Sequence, residues 1–445
     1  MNTITEHKDT GTFPGRTAVF SFRNTLQILF FTAVWYGTGD TSALKKYYPR
    51  ALDTIYGTSL TINEALLIFV FFAGIALLLS ECKLSIPRSR LHIPIILFFA
   101  TFLIPYMRMA YEEGGFRIPY EVHNLTFFLT YFCVFTIFRT AEYKKLFFGF
   151  LVIAVLKAIE GCIGYALLPT ASSSWGALTE WRDGYLLGIT LISWFVTMAF
   201  RKDIPQRMIL PINIAFIIVL VGFIVSIRRS FIFALPLASI VTVLTLRGTA
   251  RRNAFYGILI LFAVGLGLSL VISPEHFFNR MEVVENPLDE FSAAYRLFEY
   301  KNVLLNVAAS PWFGNPMGTP WKIYTVFPFP VLSPLYAHDT YLNILLRDGI
   351  FGMALFTLLV AAVIRSIRSC VRNARTAFDR ICGASFAGWG TLFILGSATA
   401  PLLTDFRASI VIGATAALIG LCDSALSETA AFATAESTEG NTNTV

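Results

Sequence analysis

The feature that most constrains this chain is a series of apolar runs, each close to the length of a membrane-spanning helix. A transmembrane helix needs about 20 consecutive apolar residues. Runs of this kind are read at residues 19–38, 62–80, 91–110, 123–139, 146–168, 185–200, 208–227, 231–246, 253–272, 339–364, 380–400 and 406–426. Charged residues make up only 14% of the 445, against roughly 25% in a soluble domain. The sequence therefore excludes a soluble enzyme and predicts an all-α integral membrane protein with about twelve transmembrane helices.

The distribution of lysine and arginine predicts how the chain is oriented. Five short connections, at residues 81–90, 139–145, 200–207, 247–252 and 365–380, contain 17 of these residues. Because short cytoplasmic loops are enriched in lysine and arginine, these connections and both termini are placed in the cytoplasm. The lysines and arginines that give the formal charge of +7 are thus expected to orient the protein in a membrane. Nucleic acid is not an expected partner.

Four regions follow from this topology. Residues 1–272 are expected to form nine transmembrane helices, residues 273–338 a long outer loop, and residues 339–426 three more helices. The small, polar residues 427–445 are predicted to be a disordered cytoplasmic tail. A polar N-terminus and Arg23 within the first apolar run favour a retained first helix over a cleavable signal peptide.

The long outer loop is predicted to be structured, because it contains eight of the nineteen prolines and loops of this length usually cover or build a site. The residues that fall on one face of a predicted amphipathic helix within it are Phe291, Tyr295, Phe298 and Leu305. Arg296 and Glu299, one turn apart on that helix, are interpreted as an exposed ion pair.

Two adjacent arginines depart from the charge rule. Arg228 and Arg229 lie where one predicted helix ends and the next begins, on the outer side. They could reach lipid phosphate as ordinary interfacial residues. The favoured interpretation is that they hold an anionic headgroup, since guanidinium groups bind phosphate bidentately.

His338 stands at the outer boundary of the predicted tenth helix and is either a structural histidine or a general base. Arg347 and Asp348 lie deeper in that helix, where charges usually face the bundle interior and pair. Trp312, in the turn-rich stretch 311–318, could bind sugar or line the membrane interface. The second-rank candidates for the site are Asp339, Arg182, Asp183, Arg407, Trp312 and Tyr341.

Cysteine and histidine patterns predict no metal site and no cofactor. All six cysteines fall in predicted spans or cytoplasmic connections, and the five histidines are far apart in sequence. No metal-ligand spacing and no nucleotide-binding loop can be found, which argues against an ATP-driven transporter.

Three motifs follow one another on the outer side. They are Ser226-Ile227-Arg228-Arg229, then Arg296 followed by Pro311-Trp312-Phe313-Gly314, then His338-Asp339 followed by Gly349 and Gly352. Together they resemble the bacterial O-antigen ligase superfamily, which comprises WaaL-type ligases and Wzy-type polymerases. The resemblance is close over about residues 210–365.

The resemblance implies a glycosyltransferase at the periplasmic face of the bacterial inner membrane, with a glycan on undecaprenyl diphosphate as the donor. Arg229, Arg228 and Arg296 would neutralise the diphosphate, and His338 would be the general base of an inverting displacement that needs no metal. The family usually has Asn, Ser or Gln where this chain has Asp339, so Asp339 is expected to orient His338 or change its proton affinity.

Three functions remain open at this point. A ligase would transfer the glycan to lipid A core, and a polymerase would transfer it to a second lipid-linked glycan. A flippase would move the lipid-linked sugar without chemistry. The ligase is slightly favoured over the polymerase. A transporter is less favoured, because the unusual charges gather at the outer boundary rather than at the bilayer midplane.

Overall fold

The protein is all-α in its described parts, as predicted. In this computed structural model, every regular element of the described residues is a helix. The residues that the structure describes are 14–37, 61–81, 87–112, 114, 125–167, 181–225, 229–272, 291–325, 337–400, 402–403 and 406–442.

The helices lie at all twelve apolar runs, and one further helix lies in the long loop. The α-helices of the first half are α1 Pro14–Gly37, α2 Ile62–Ser80, α3 His92–Thr101, α4 Leu103–Glu112, α5 Thr126–Ile137, α6 Tyr143–Leu167 and α7 Trp181–Ala199. The α-helices of the second half are α8 Gln206–Val225, α9 Arg229–Thr245, α10 Gly248–Ile272, α11 Phe291–Ala309, α12 Thr340–Asn373, α13 Ala377–Ser397 and α14 Phe406–Thr442.

Seven spans in the described residues are long and apolar enough to cross a membrane. They are Ile62–Ser80, His92–Glu112, Thr140–Ile163, Gln206–Ile224, Gly248–Val271, Thr340–Asn373 and Ala408–Ala430. Three other apolar helices, within α5, α7 and α9, are shorter. These helices support a membrane protein, while the total of twelve spans and the periplasmic position of the long loop stay predictions.

Helix α14 differs from the expectation at its end. The sequence predicts a disordered tail from residue 427, whereas the helix continues to Thr442. Alanine and glutamate, which have high helix propensity, recur in this segment at Glu428, Ala430, Ala433 and Glu436. Local propensity can therefore extend the helix beyond its apolar part.

Consecutive helices run back and forth, so the bundle has two distinct ends. Helices α7, α9, α12 and α14 begin at the end that carries His338, here called the His338 end. A Cβ built on Gly184 in α7 would lie 2.7 Å from Phe231 in α9, and one built on Gly396 in α13 would lie 2.9 Å from the same ring. The opposite end, here called the basic end, carries the arginine-rich connections.

Helix α12 is broken near the His338 end by the turn that follows α11. Gly349 has φ 65° and interrupts the helix. The turn supplies the missing backbone partners: the Ile350 amide donates to the Pro311 carbonyl at 2.8 Å, and the Asn315 amide donates to the Leu346 carbonyl at 2.7 Å. The two motifs Pro311–Gly314 and Gly349–Gly352 are therefore two sides of one interlocked backbone contact.

Arg347 stabilises the same backbone contact from inside the bundle. Its side chain is only 2% exposed, and Nη1 donates to the carbonyls of Pro316 at 2.7 Å and Thr319 at 2.9 Å. Asp348 is equally buried. Both side chains face the interior, as expected for charges in a span, and Arg347 stabilises the turn through carbonyl oxygens.

Gly349→Ala is expected to destabilise the protein by at least about 2 kcal/mol, because a non-glycine residue at this φ is strained and a Cβ would collide with the Trp312 carbonyl. Thermal unfolding in detergent measures the effect. Gly267→Ala in α10 is the matched control, since a Cβ there meets nothing within 4 Å. Equal stability of the two variants would contradict the interlocked contact.

Candidate active site

The amphipathic helix α11 packs across the start of α12, and its buried face is more polar than predicted. Tyr295 and Phe298 are buried as expected. Leu305, predicted on the same face, is 42% exposed, whereas Asn302 and Asn306 are at most 3% exposed. The prediction for Leu305 is wrong because the buried face follows the hydrogen-bonding asparagines rather than the apolar residues.

Asn302 and Asn306 tie the following segment, residues 321–325, against α11. Asn302 Oδ1 accepts from the amides of Tyr324 at 2.6 Å and Thr325 at 3.0 Å. Asn306 Oδ1 accepts from the Lys322 amide, and its Nδ2 donates to the Lys322 carbonyl, both at 2.8 Å. An asparagine amide can satisfy a donor and an acceptor of a backbone at once. This part of the loop is therefore structured, as its composition predicted.

The centre of the site is a contact between Glu299 and His338. One Glu299 oxygen lies 2.9 Å from His338 Nδ1, and the other accepts from the His338 backbone amide at 3.0 Å. The Glu299 side chain is fully buried, while the His338 side chain is 30% exposed. A carboxylate that accepts from Nδ1–H fixes the imidazole orientation and its tautomer, leaving Nε2 as the ring nitrogen that can accept a proton.

The interpretation of Glu299 as part of an exposed ion pair with Arg296 is wrong. Both Glu299 oxygens contact His338, and the side chain is inaccessible. One signal in the sequence could have shown this, since Glu299 is four residues after Tyr295 and adjacent to Phe298 on the buried face. A carboxylate on a buried face needs a hydrogen-bonding partner from elsewhere in the fold.

Asp339 caps α12. Its Oδ1 accepts from the Leu342 amide at 3.0 Å, and its Oδ2 lies 3.1 Å from the Tyr300 hydroxyl. The contact that orients the His338 ring comes from Glu299, so the orienting role, one of the two expected for Asp339, is filled by a residue of α11. Burial raises the pKa of Asp339, although bonds from Leu342 and Tyr300 and the charge of Arg296 act in the opposite direction.

Tyr300 links this cap to the end of α13. Its hydroxyl also lies 3.2 Å from the Ala398 carbonyl, so one O–H proton is within reach of two acceptors. Burial, followed by the charge of Asp339, raises the pKa of Tyr300 to about 12. The phenol is therefore neutral at physiological pH and serves as a donor between α12 and α13.

Arg296 lies beside the same cluster. Its positive charge lowers the pKa of both Asp339 and Tyr300, against the larger opposite effect of burial. Its side chain is partly exposed. The fold thus brings Arg296 close enough to Asp339, the residue after His338, for their charges to interact, although 43 residues separate the two in sequence.

One arginine of the pair that the sequence singled out begins helix α9 at the same end. Arg229 is the first residue of α9, and its side chain and all of Arg228 lie outside the described residues. Phe231, two residues on, packs near Gly396. Because Gly396 precedes Ala398, the Tyr300 acceptor, by two residues, the start of α9 lies on the His338 side of the bundle.

The structure describes the side chains of some of the second-rank candidates and not of the others. The Tyr341 hydroxyl donates to the Ile394 carbonyl at 2.7 Å, so it joins α12 to α13. Trp312 is 66% exposed at the interlocked turn. Arg182 and Asp183 lie in the first turn of α7, and Arg407 lies in the first turn of α14. The side chains of these last three residues lie outside the described part of the chain.

Asn302→Ala is expected to loosen residues 321–325, because two backbone amides lose their acceptor. Trypsin should then cleave after Lys322 about tenfold faster or more, given about 1 kcal/mol per lost hydrogen bond. Mass spectrometry of timed digests measures the rate. Leu304→Ala, at a position 52% exposed on the same helix, should digest like the wild type, and an Asn302→Ala rate equal to it would refute the role of Asn302.

Asp339→Asn is expected to gain stability relative to the wild type as pH rises. A folded-state pKa raised above the unfolded value means that the native state holds its proton longer, so stability falls as pH rises through that range. Asparagine keeps the cap on α12, and its amide can donate to the Tyr300 oxygen while Tyr300 donates to Ala398. The difference in Tm between variant and wild type, measured from pH 4 to pH 8, should grow with pH. A constant difference in Tm would contradict this role. Asp339→Ala is the control for the helix cap, because it loses a cap worth about 1 kcal/mol.

Comparison with known proteins matches one segment of the chain to a family. No curated protein matches the chain. The family model described as O-antigen ligase matches residues 214–357, a segment that includes α9, α11 and the first half of α12. The match supports a membrane glycosyltransferase of the ligase or polymerase type. The segment 214–357 is therefore identified as an O-antigen ligase family domain, as the three motifs predicted.

Proposed function

We propose that this protein is an O-antigen ligase-like glycosyltransferase. It would transfer a glycan from undecaprenyl diphosphate to a sugar hydroxyl of lipid A core at the periplasmic face of the bacterial inner membrane. The observation that carries the proposal is the pairing of His338 with the buried Glu299 beside Arg296. This arrangement combines a proton acceptor with a cation in the matched segment.

His338 is the general base in this proposal. Glu299 accepts from Nδ1–H, so Nε2 takes the proton of the acceptor hydroxyl as its oxygen attacks the anomeric carbon. The bond from that carbon to the diphosphate oxygen breaks, and the diphosphate leaves with the electron pair. One displacement inverts the anomeric configuration. The negative charge of Glu299 balances the imidazolium that forms, as in other carboxylate-oriented histidines.

Arg229, Arg228 and Arg296 would stabilise the leaving diphosphate. Negative charge develops on the leaving oxygen in the transition state, and guanidinium groups placed there lower its energy. Their fork geometry matches phosphate oxygens. A shared site is supported by two observations: Arg296 lies beside the His338 cluster, and α9 begins at the same end of the bundle. In such a site arginines supply the positive charge that metal ions supply in other enzymes.

A polymerase is the second candidate, and a transporter is the third. A Wzy-type polymerase would use the same donor and the same base, with a second lipid-linked glycan as the acceptor. The family match is compatible with both enzymes. A flippase is less favoured because transport requires no buried carboxylate that orients a histidine.

His338→Ala is expected to lower the rate of glycan transfer by about 100- to 10,000-fold, the usual contribution of a general base. Glu299→Gln should lower kcat by roughly 10- to 100-fold, because an amide is a weaker orienting group and carries no balancing charge. Transfer from a purified diphosphate-linked donor, with insertion and Tm checked for each variant, measures both effects.

Glu112→Gln is the matched control for Glu299→Gln, because Glu112 is a carboxylate at the same end whose side chain is 48% exposed. It should retain wild-type activity. A folded His338→Ala variant with wild-type turnover would show that His338 is not the base.

The acceptor is identified by a direct competition. Purified protein receives one diphosphate-linked glycan together with lipid A core, with a second diphosphate-linked glycan, or with both. Attachment to lipid A core supports the ligase, and chain extension supports the polymerase. Accumulation of neither product, combined with donor movement across proteoliposomes, would support the transporter.

A further inference from the structure

A large cavity runs through the second half of the bundle. Its volume is about 1340 Å³, and residues of α5, α7, α9, α10, α12, α13 and α14 line it. Tyr185, Ile394 and Leu403 line it toward the His338 end, and Arg368 and Arg372 line it at the basic end. The cavity is therefore elongated along the helix axes rather than confined to one face.

The middle of the cavity is apolar. Apart from Thr415, its wall there consists of aliphatic and aromatic side chains, which include Phe356, Leu359, Val363, Ile367 and Ile412. Water gains few hydrogen bonds on such a wall. The fitting occupant of this part is a hydrocarbon chain.

The basic end of the cavity is strongly cationic. Six of its lining side chains are cationic, against one carboxylate, Asp203. The cationic lining residues come from three different connections and are Lys202, Arg247, Arg252, Arg368, Arg372 and Arg380. The first turn of α10, Gly248–Ala250, lies in the same wall, and its amide groups face no helical acceptor. The opening therefore matches an anion.

Three of these cations form no ion pair within the described residues. In the first half of the bundle, Arg23 and Arg139 share the Glu81 carboxylate at 2.7 and 3.8 Å. By contrast, Arg247, Arg368 and Arg372 form no ion pair with any carboxylate that the structure describes. Orientation in the membrane requires only cationic loops, and it does not require that they surround an apolar cavity.

We propose that this cavity binds one anionic phospholipid, with the phosphate held by Arg247, Arg368 and Arg372 and an acyl chain in the apolar middle. A lipid joins a phosphate to a hydrocarbon chain in one molecule, which is the combination that the opening and the wall present. The site is distinct from the proposed donor site, because Arg368 lies 19 residues beyond the break at Gly349, which is roughly 28 Å along α12 at a rise of about 1.5 Å per residue, and His338 lies on the other side of that break.

Lipid retention tests this site without any measurement of glycan transfer. The protein is purified in mild detergent, exchanged into vesicles of phosphatidylglycerol and phosphatidylcholine in equal amounts, re-extracted and examined by native mass spectrometry. We expect one phosphatidylglycerol per chain and a higher Tm with phosphatidylglycerol than with phosphatidylcholine. Equal retention of the two lipids, or retention of neither, would overturn the proposal.

Two triple variants separate the cavity from general surface charge. Arg247→Gln, Arg368→Gln and Arg372→Gln together should lower phosphatidylglycerol retention at least tenfold. Arg207→Gln, Arg365→Gln and Arg375→Gln remove the same charge from residues outside the cavity lining and should leave retention unchanged. Equal loss in both variants would show that the lipid binds only to the cationic surface.

A cavity-filling variant tests the chain-binding part if the first triple variant fails to fold. Ala387→Phe places a ring in the lining while keeping every arginine, and it should also lower retention. Unchanged retention would place the lipid outside the cavity. A shift in Tm with inorganic phosphate as large as that with phosphatidylglycerol, or retention of undecaprenyl phosphate in preference to phosphatidylglycerol, would contradict the proposed occupant.

Discussion

The rest of the site depends on how the protein provides hydrogen-bond partners for the backbone at the break in α12. A transmembrane helix that is interrupted exposes backbone amides and carbonyls, and these must find partners within the protein because lipid offers none. Here the turn after α11 provides them through Pro311, Trp312 and Asn315, and the buried Arg347 binds the carbonyls of the same turn. The positive φ of Gly349 and Gly314 allows the two backbones to approach. The long loop is thereby joined to a spanning helix at a defined position.

This junction determines where α11 lies, and α11 in turn determines the environment of His338. Its buried face carries Glu299, Asn302 and Asn306 in place of a purely apolar stripe. Each polar side chain forms a hydrogen bond with a backbone or imidazole group that would otherwise have no partner once it is buried. The cost of burying the Glu299 carboxylate is offset only because His338 supplies two donors to it. A histidine held in this way has one orientation, which is the property that a proton-transfer group needs.

The two ends of the bundle differ in electrostatic character. At the His338 end, four of the described charged or titratable groups, Arg296, Glu299, Asp339 and His338, lie in a single cluster. At the basic end, arginines from separate connections surround the opening of an apolar cavity. Arginine and lysine residues can orient a membrane protein, and the same residue types can bind an anion. Only the position of these residues relative to a cavity distinguishes the two roles.

The sequence by itself determined the all-α membrane class, the position of each apolar helix, the likeness of residues 214–357 to the O-antigen ligase family, and the choice of Arg296 and His338 as candidate residues. These are local properties, since apolar length, motif order and residue type need no knowledge of distant contacts. The tertiary structure decided which residues act together. It showed that Glu299 contacts His338 across 39 residues, that Asp339 caps a helix and bonds Tyr300, and that Leu305 faces outward. Sequence spacing predicts neighbours along one helix, whereas hydrogen bonds between helices arise only from packing.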